Sequence, residues 1–211
     1  TFVRTGELIG ARWKEFDLDG AKPRWTIPAA RMKMGRPHIV PLSNQAVALL
    51  RELQTHSGHR EILFPAQRDH DKCMSNNTIL KALERMGYKG RMTGHGFRGL
   101  ASTILHEQGV NTQCIEAQLA HEKRDRTAAA YNHASLIVQR TVMMQEWADY
   151  LDMAMSLSRP HPERPYAETG VKLGDEQFAA AEKWRAAGRL ALVGIGLVVA
   201  GVLIIVRPGT D

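Results

Sequence analysis

Cysteine is scarce: the 211 residues contain two, Cys73 and Cys114. They form no Cys-x-x-Cys pair and have no neighbouring ligand cluster. That excludes a disulfide scaffold and a structural zinc site, and it fits a reduced, cytosolic setting. The nine histidines include no His-Glu-x-x-His or comparable spacing, so no metal site is expected. No secretory signal opens the chain, and no internal repeat or low-complexity tract runs through it. It begins Thr1-Phe2-Val3-Arg4 without an initiator methionine, as a sequence that starts inside a longer protein would. Long apolar runs are also missing, with one exception near the C-terminal end.

An apolar share of 44% suffices for a packed core, and 211 residues hold one full domain plus a small appendage. The net charge of +6 and a pI near 9.5 point to a polyanionic partner. The charge is unevenly placed. Residues 1–158 carry 21 Lys and Arg against 16 Asp and Glu, whereas residues 159–211 carry 7 against 6. A nucleic-acid surface therefore belongs to the first three quarters of the chain.

The hydrophobic pattern predicts a mainly α fold with a small antiparallel β-sheet. Leu8, Ile9, Ala11 and Trp13 predict a helix over 5–17. Arg24–Ile27 and His38–Leu42 read as two short strands. Between them, Arg31-Met32-Lys33-Met34-Gly35-Arg36 puts a glycine turn and three cations at the tip of a hairpin. Ser43 caps a helix to about His56, and Ser75 caps another that ends at Gly87. Further helices are expected from Thr93 to Gln108, from Asn111 through Ala120, shortly before Tyr131, and over 134–155. Then the composition changes. Pro160, Pro162 and Pro165 with Gly170 and Gly174 mark 156–175 as a linker.

A helical tail is expected over 176–208, with an amphipathic stretch at 176–189. Leu190 to Val206 contains no charged or strongly polar residue. As a helix this run would span about 26 Å, the short limit for crossing a bilayer. Arg185 and Arg189 before it and Arg207 after it would keep the preceding domain in the cytoplasm. The alternatives are a helix buried against its own or a neighbouring protomer, or the product of a disrupted gene end.

Several short motifs remain. Residues 1–19, TFVRTGELIGARWKEFDLD, place an arginine, an acidic residue three positions on, and a Trp and an Asp downstream. His95-Gly96-Phe97-Arg98 is a His-x-x-Arg element, and Gln118-Leu119-Ala120-His121 is a Leu-Gly/Ala-His element. Ala129-Ala130-Tyr131-Asn132 follows, its tyrosine ten residues beyond His121. Over roughly residues 1–155 these segments resemble the catalytic domain of the tyrosine recombinase (phage integrase) family. Met144–Asp152 further resembles the ending of prophage and genomic-island integrases.

The resemblance implies that family's catalytic-domain fold over 1–155 and six catalytic residues, Arg4, Lys33, His95, Arg98, His121 and the nucleophile Tyr131. Each alone is ordinary, since a lone arginine is usually a solvated surface group. As a set they suit phosphoryl chemistry. Guanidinium groups offer paired donors to non-bridging oxygens and stay charged, so Arg4 and Arg98 suit the added negative charge of a phosphorane-like centre. His95, three positions before Arg98, shares its helix face and can accept the tyrosine proton or donate to phosphate. Tyr131 would attack phosphorus and store the bond energy in a phosphotyrosine. A phenol with a reference pKa of about 10 needs a base or cationic surroundings for this.

Lys33 is assigned by the resemblance to protonate the leaving 5′ oxygen, and His121 completes the oxygen contacts. Glu7, at the family's acidic position, supports the site. Arg31, Lys33 and Arg36 are expected at the DNA surface. The products would be a 3′-phosphotyrosyl link and a free 5′-hydroxyl, with no cofactor, water or ATP consumed.

The implied activity is site-specific cleavage and joining of double-stranded DNA, for integration or excision of a mobile element in the bacterial cytoplasm. The implied partners are a homotetramer on DNA in the full-length form, a recombination directionality factor, and a membrane if 190–206 inserts. The family's all-helical core-binding domain has no counterpart in this sequence. Weak, salt-sensitive DNA binding and little autonomous recombination follow from the lost phosphate contacts. Three rivals stay open: a type IB topoisomerase-like strand transferase, a truncated DNA-binding remnant that cannot cleave, and a small membrane protein with a vestigial 1–155. The integrase-like ending favours recombination over topoisomerase action.

Overall fold

The computed structural model describes residues 1–33, 35–121 and 136–158, the last three as helical backbone. Tyr131, residues 159–175 of the expected linker and the apolar 190–206 segment lie outside the described residues, whereas 156–158, expected in that linker, continue the last helix.

Helix α1 (Thr5–Ile9) is much shorter than the helix expected over 5–17. Gly10 closes it, and the backbone beyond finds other partners. Leu63 N–H donates to the Ala11 carbonyl at 2.9 Å and Trp13 N–H to the Glu61 carbonyl at 3.0 Å, so that Arg12 and Ile62 form an antiparallel bridge. The apolar spacing at 8–13 thus serves a helix end and an extended segment. A 3-10 turn (Trp13–Glu15) then leads into β1 (Phe16–Asp17).

Strands β1, β2 (Arg24–Ile27) and β3 (His38–Pro41) form an antiparallel sheet in sequence order. Phe16 faces Trp25 and Thr26 faces Ile39 in register. The two-residue alternation buries Trp25, Ile27 and Val40 completely. The hairpin expected around Arg31–Arg36 is the β2–β3 connection, and β1 is the strand that the expected helix had obscured.

Ser43 Oγ accepts from Ala46 N–H at 3.3 Å and starts α2 (Asn44–Ser57). Next come α3 (Asn76–Arg85), α4 (Gly96–Glu107), α5 (Thr112–Gln118) and α6 (Ile137–Ser158). Asn111 caps α5 through a 2.8 Å bond from Gln113 N–H. Among the described residues the fold is mainly helical with one small sheet, and no helix there is long and apolar enough to cross a membrane.

Two main cores and a small cluster under α3, around Ala82 and Leu83, hold these elements. One joins α4, α5 and α6 through Ile104, Leu105, Ile115, Leu119, Met143, Met144, Trp147 and Leu151. The other joins the sheet to α2 through Trp25, Ile27, Val40, Leu53, Leu63 and Phe64. The first residues of the chain run between them. Phe2 packs in the helical core, edge-on to Trp147 with centroids 5.5 Å apart, while Val3 packs in the sheet core. Burying a side chain of this size is worth about 1.5–3 kcal/mol, so both ends of this short segment are pinned. Arg4 follows at once.

Candidate active site

Arg98 lies in the first turn of α4, and its side chain is buried. One guanidinium nitrogen, Nη1, donates to the Phe2 carbonyl. The other, Nη2, donates to the Leu119 carbonyl at 2.7 Å and sits 3.3 Å from His121 Nε2. Arg4 approaches from the opposite end of the chain. Its Nη1 bonds Glu7 Oε1 at 2.8 Å and its Nη2 reaches the Ala120 carbonyl at 3.5 Å. Glu7 Oε2 also accepts the Arg4 N–H at 2.8 Å, so a nearly buried carboxylate holds both the backbone and the side chain of Arg4.

The segment 119–121 therefore presents two carbonyls, one to each arginine, and then the histidine. His121 Nδ1 lies 2.8 Å from Glu116 Oε2. With Nδ1 donating to that carboxylate, Nε2 is an acceptor turned toward Arg98. Phe2 and Ala120 are the non-glycine residues with positive φ among the described residues, at 60° and 49°. Both flank the paired guanidiniums. Such backbone costs about 1–3 kcal/mol per residue and persists where surrounding packing over-determines it. Here the strain aims carbonyls at Arg98 and Arg4.

Burial lowers the Arg98 pKa from its ordinary value, and the Arg4 charge lowers it further against the opposing pull of Glu7 and Glu116. Two like charges thus sit close together with only partial compensation. An anion placed between them would relieve the repulsion, which suits this cluster to a phosphate.

The side chains of His95, Lys33 and Arg36 stand apart from this hydrogen-bonded group, whereas Arg31 joins it through the Glu7 carbonyl. His95 occupies the N-cap of α4 and is exposed, and its carbonyl accepts from Arg98 N–H at 3.1 Å. The turn carrying it abuts the start of α1, since a Cβ on Gly94 would come 2.8 Å from Thr5 Oγ1. Lys33 and Arg36 are exposed in the β2–β3 connection. Arg31, also expected at the DNA surface, is largely covered. Its Nη2 bonds Glu15 Oε2 at 2.8 Å and its Nη1 donates to the Glu7 carbonyl at 3.3 Å.

Three contributors were not evident in the sequence. Glu116 orients His121, Glu15 holds Arg31, and the buried Arg140 is bonded to Gln118, three residues before His121. Glu116 and Gln118 lie next to a recognisable motif, yet nothing in their spacing assigns them a partner. Arg140 sits in a long helical run with no motif around it.

Residues 1–136 match the model of the phage integrase family. The chain belongs to the phage integrase family. It is 48% identical over 169 residues to the integrase of Enterobacteria phage P4, covering 72% of this chain and 38% of that protein. Prophage integrases IntA and IntZ of Escherichia coli K12 are 43% and 46% identical over 156 and 157 residues. Each of those matches covers 74% of this chain, and 37% and 38% of the two relatives. This integrase-family chain thus spans less than two-fifths of the length of these relatives. No solved structure matches it significantly.

Proposed function

We propose that this chain supplies the strand-cleaving and strand-joining unit of a site-specific DNA recombinase, acting in integration or excision of a mobile element. The observation that carries the reading is the convergence of Arg4 and Arg98 on the adjacent carbonyls of Ala120 and Leu119, with His121 beside the Arg98 guanidinium. Membership of the phage integrase family and the names of its relatives supply the reaction class.

In this mechanism Arg4 and Arg98 bind the non-bridging oxygens of the scissile phosphate and stabilise the charge that develops on them. His121, held by Glu116, adds a further contact to the same oxygens when its ring is protonated and Nε2 donates as well as Nδ1. His95 accepts the phenolic proton or donates to phosphate. The Tyr131 oxygen attacks phosphorus, the bond from phosphorus to the 5′ oxygen breaks, and Lys33 delivers a proton to that oxygen. Religation runs the same steps backwards, so no external energy source is needed. Lys33 and Arg36 lie on the double-stranded DNA. Recombination takes place in a homotetramer of the full-length protein, with a directionality factor selecting the direction.

A nicked suicide duplex carrying the attachment site, from which the short cleaved fragment escapes, tests the reading at low salt. A covalent protein–DNA band that disappears in Tyr131→Phe is expected. DNA binding without any such band, even after a core-binding domain is added, would instead identify a non-catalytic DNA-binding remnant.

A further inference from the structure

We propose that Arg31 is the positioning residue that seats Lys33 for proton delivery, and that it does so by docking the β2–β3 connection on Glu15 and on α1. The inference rests on the recombinase reading above. It concerns a residue whose charge, read from sequence, belonged on the DNA.

The geometry does not fit a free phosphate-binding arginine. Glu15 Oε2 accepts from Arg31 Nη2 and from Trp25 Nε1, at 2.8 and 2.9 Å, and its carboxylate is nearly buried. Trp25 is completely buried in the sheet core, so Glu15 is tied by that bond to the sheet. On the other side Nη1 meets the Glu7 carbonyl, while the Glu7 carboxylate holds Arg4. A continuous set of bonded groups therefore runs from Arg4 through Glu7 to Arg31, and Lys33 is two residues further along the chain.

Two details show that the fold makes room for this contact. A Cβ on Gly10 would lie 2.5 Å from Arg31 Nη1, so any larger residue there would push that nitrogen aside. Arg31 Nε is buried without a hydrogen-bond partner, a cost accepted at an otherwise bonded guanidinium. The neighbouring Met32 is buried as well, so the chain enters the Lys33 turn from a fixed base. Lys33 is itself exposed on a long side chain. A group of that kind delivers a proton productively only if its root is held within reach of the leaving oxygen.

Leaving-group chemistry separates positioning of Lys33 from every other role. With an ordinary phosphodiester, the departing 5′ oxygen takes its proton from the lysine ammonium. With sulfur in the bridging 5′ position, the P–S bond breaks and the thiolate departs as an anion. A thiol with a pKa of about 8.5 needs no such proton. Both substrates would be made as the nicked suicide duplex and compared in Arg31→Met, Arg31→Lys, Lys33→Ala and the unsubstituted chain. Single-turnover rate constants would be read rather than adduct yields, so that loss of folded protein does not enter.

Arg31→Met should slow adduct formation about 10²-fold on the phosphodiester, the order expected for a misplacement of about 1 Å. On the sulfur substrate it should stay close to the rate of the unsubstituted chain, because no proton is needed there, and Lys33→Ala should show the same pattern. Arg31→Lys, which keeps the charge and loses the two-pronged contact, should fall between. Equal slowing on both substrates would overturn the proposal in favour of a role in DNA binding or in the arginine pair. No slowing on either would overturn it too. An unsubstituted chain that forms no Tyr131-dependent adduct with either substrate would instead remove the recombinase reading on which the proposal rests.

Discussion

Replacing Arg140 with methionine probes what holds the 119–121 segment in place. Arg140 is 2% exposed on α6, and its Nε and Nη2 donate to Gln118 Oε1 at 2.9 and 2.8 Å. Nη2 also donates to the Ile39 carbonyl on β3. Gln118, completely buried, passes the connection on by donating from Nε2 to the Thr1 carbonyl at 2.9 Å. The network thus ties α6, β3, the end of α5 and the residues before Arg4. Burial pulls the guanidinium down to about 10, so it is still charged at neutral pH, and its observed partners are neutral.

Methionine fills much of the volume but leaves Gln118 Oε1 and the Ile39 carbonyl without these donors. Leaving two buried neutral acceptors without their donors costs about 1–3 kcal/mol each. Burial of the methionine returns part of that, on the order of 1 kcal/mol. The remaining loss of about 1–5 kcal/mol should lower Tm by about 2–20 °C for a domain of this size. Thermal unfolding followed by circular dichroism measures it. The double variant Arg140→Met/Gln118→Met removes both partners and should be more stable than the two single effects predict, with coupling of about 1–3 kcal/mol. Single effects that add within about 0.5 kcal/mol would refute the network.

Four further outcomes are expected. His121→Ala should slow covalent adduct formation about 10²–10³-fold, as loss of one phosphate-oxygen donor does. Glu116→Gln should show a smaller loss, and a normal single-turnover rate in both variants would exclude His121 from the site. Arg36→Ala should reduce the slope of log affinity against log salt by about 1, and an unchanged slope in a DNA titration would place Arg36 off the phosphate backbone. Ala120→Gly should raise stability by about 1 kcal/mol by relieving the positive φ, read from the urea midpoint, and a loss would show that the Cβ packs favourably there.

Local signals carried much of the secondary structure. Ser43 and Asn111 cap the helices they were expected to cap, because a side-chain acceptor facing a free N–H acts within three residues. The β2–β3 hairpin was legible from two short β-prone runs around a glycine-containing turn, and the structure buries Trp25, Ile27 and Val40 of those runs completely. The helix expected over 5–17 failed for a reason no local pattern holds: residues 11–13 pair with residues 61–63, about fifty positions away. Likewise α4 begins at Gly96 rather than near Thr93, whose hydroxyl accepts the Gly96 N–H at 3.0 Å ahead of the first turn.

The sequence by itself determined which residue types were available for phosphate chemistry, since arginine forks, imidazoles and their short motifs are properties of composition and local order. It also determined the helical majority and the small sheet. Only the tertiary structure decided which charges face one another. Arg4 and Arg98 meet because Phe2 and Val3 are buried in different cores and the Leu119 and Ala120 carbonyls lie between the two guanidiniums. Arg31 is turned from the surface to Glu15 by contacts 16 and 24 residues apart. Pairings of this kind depend on long-range packing and on the strong penalty for a buried, unpartnered charge, and neither is encoded in the spacing of neighbouring residues.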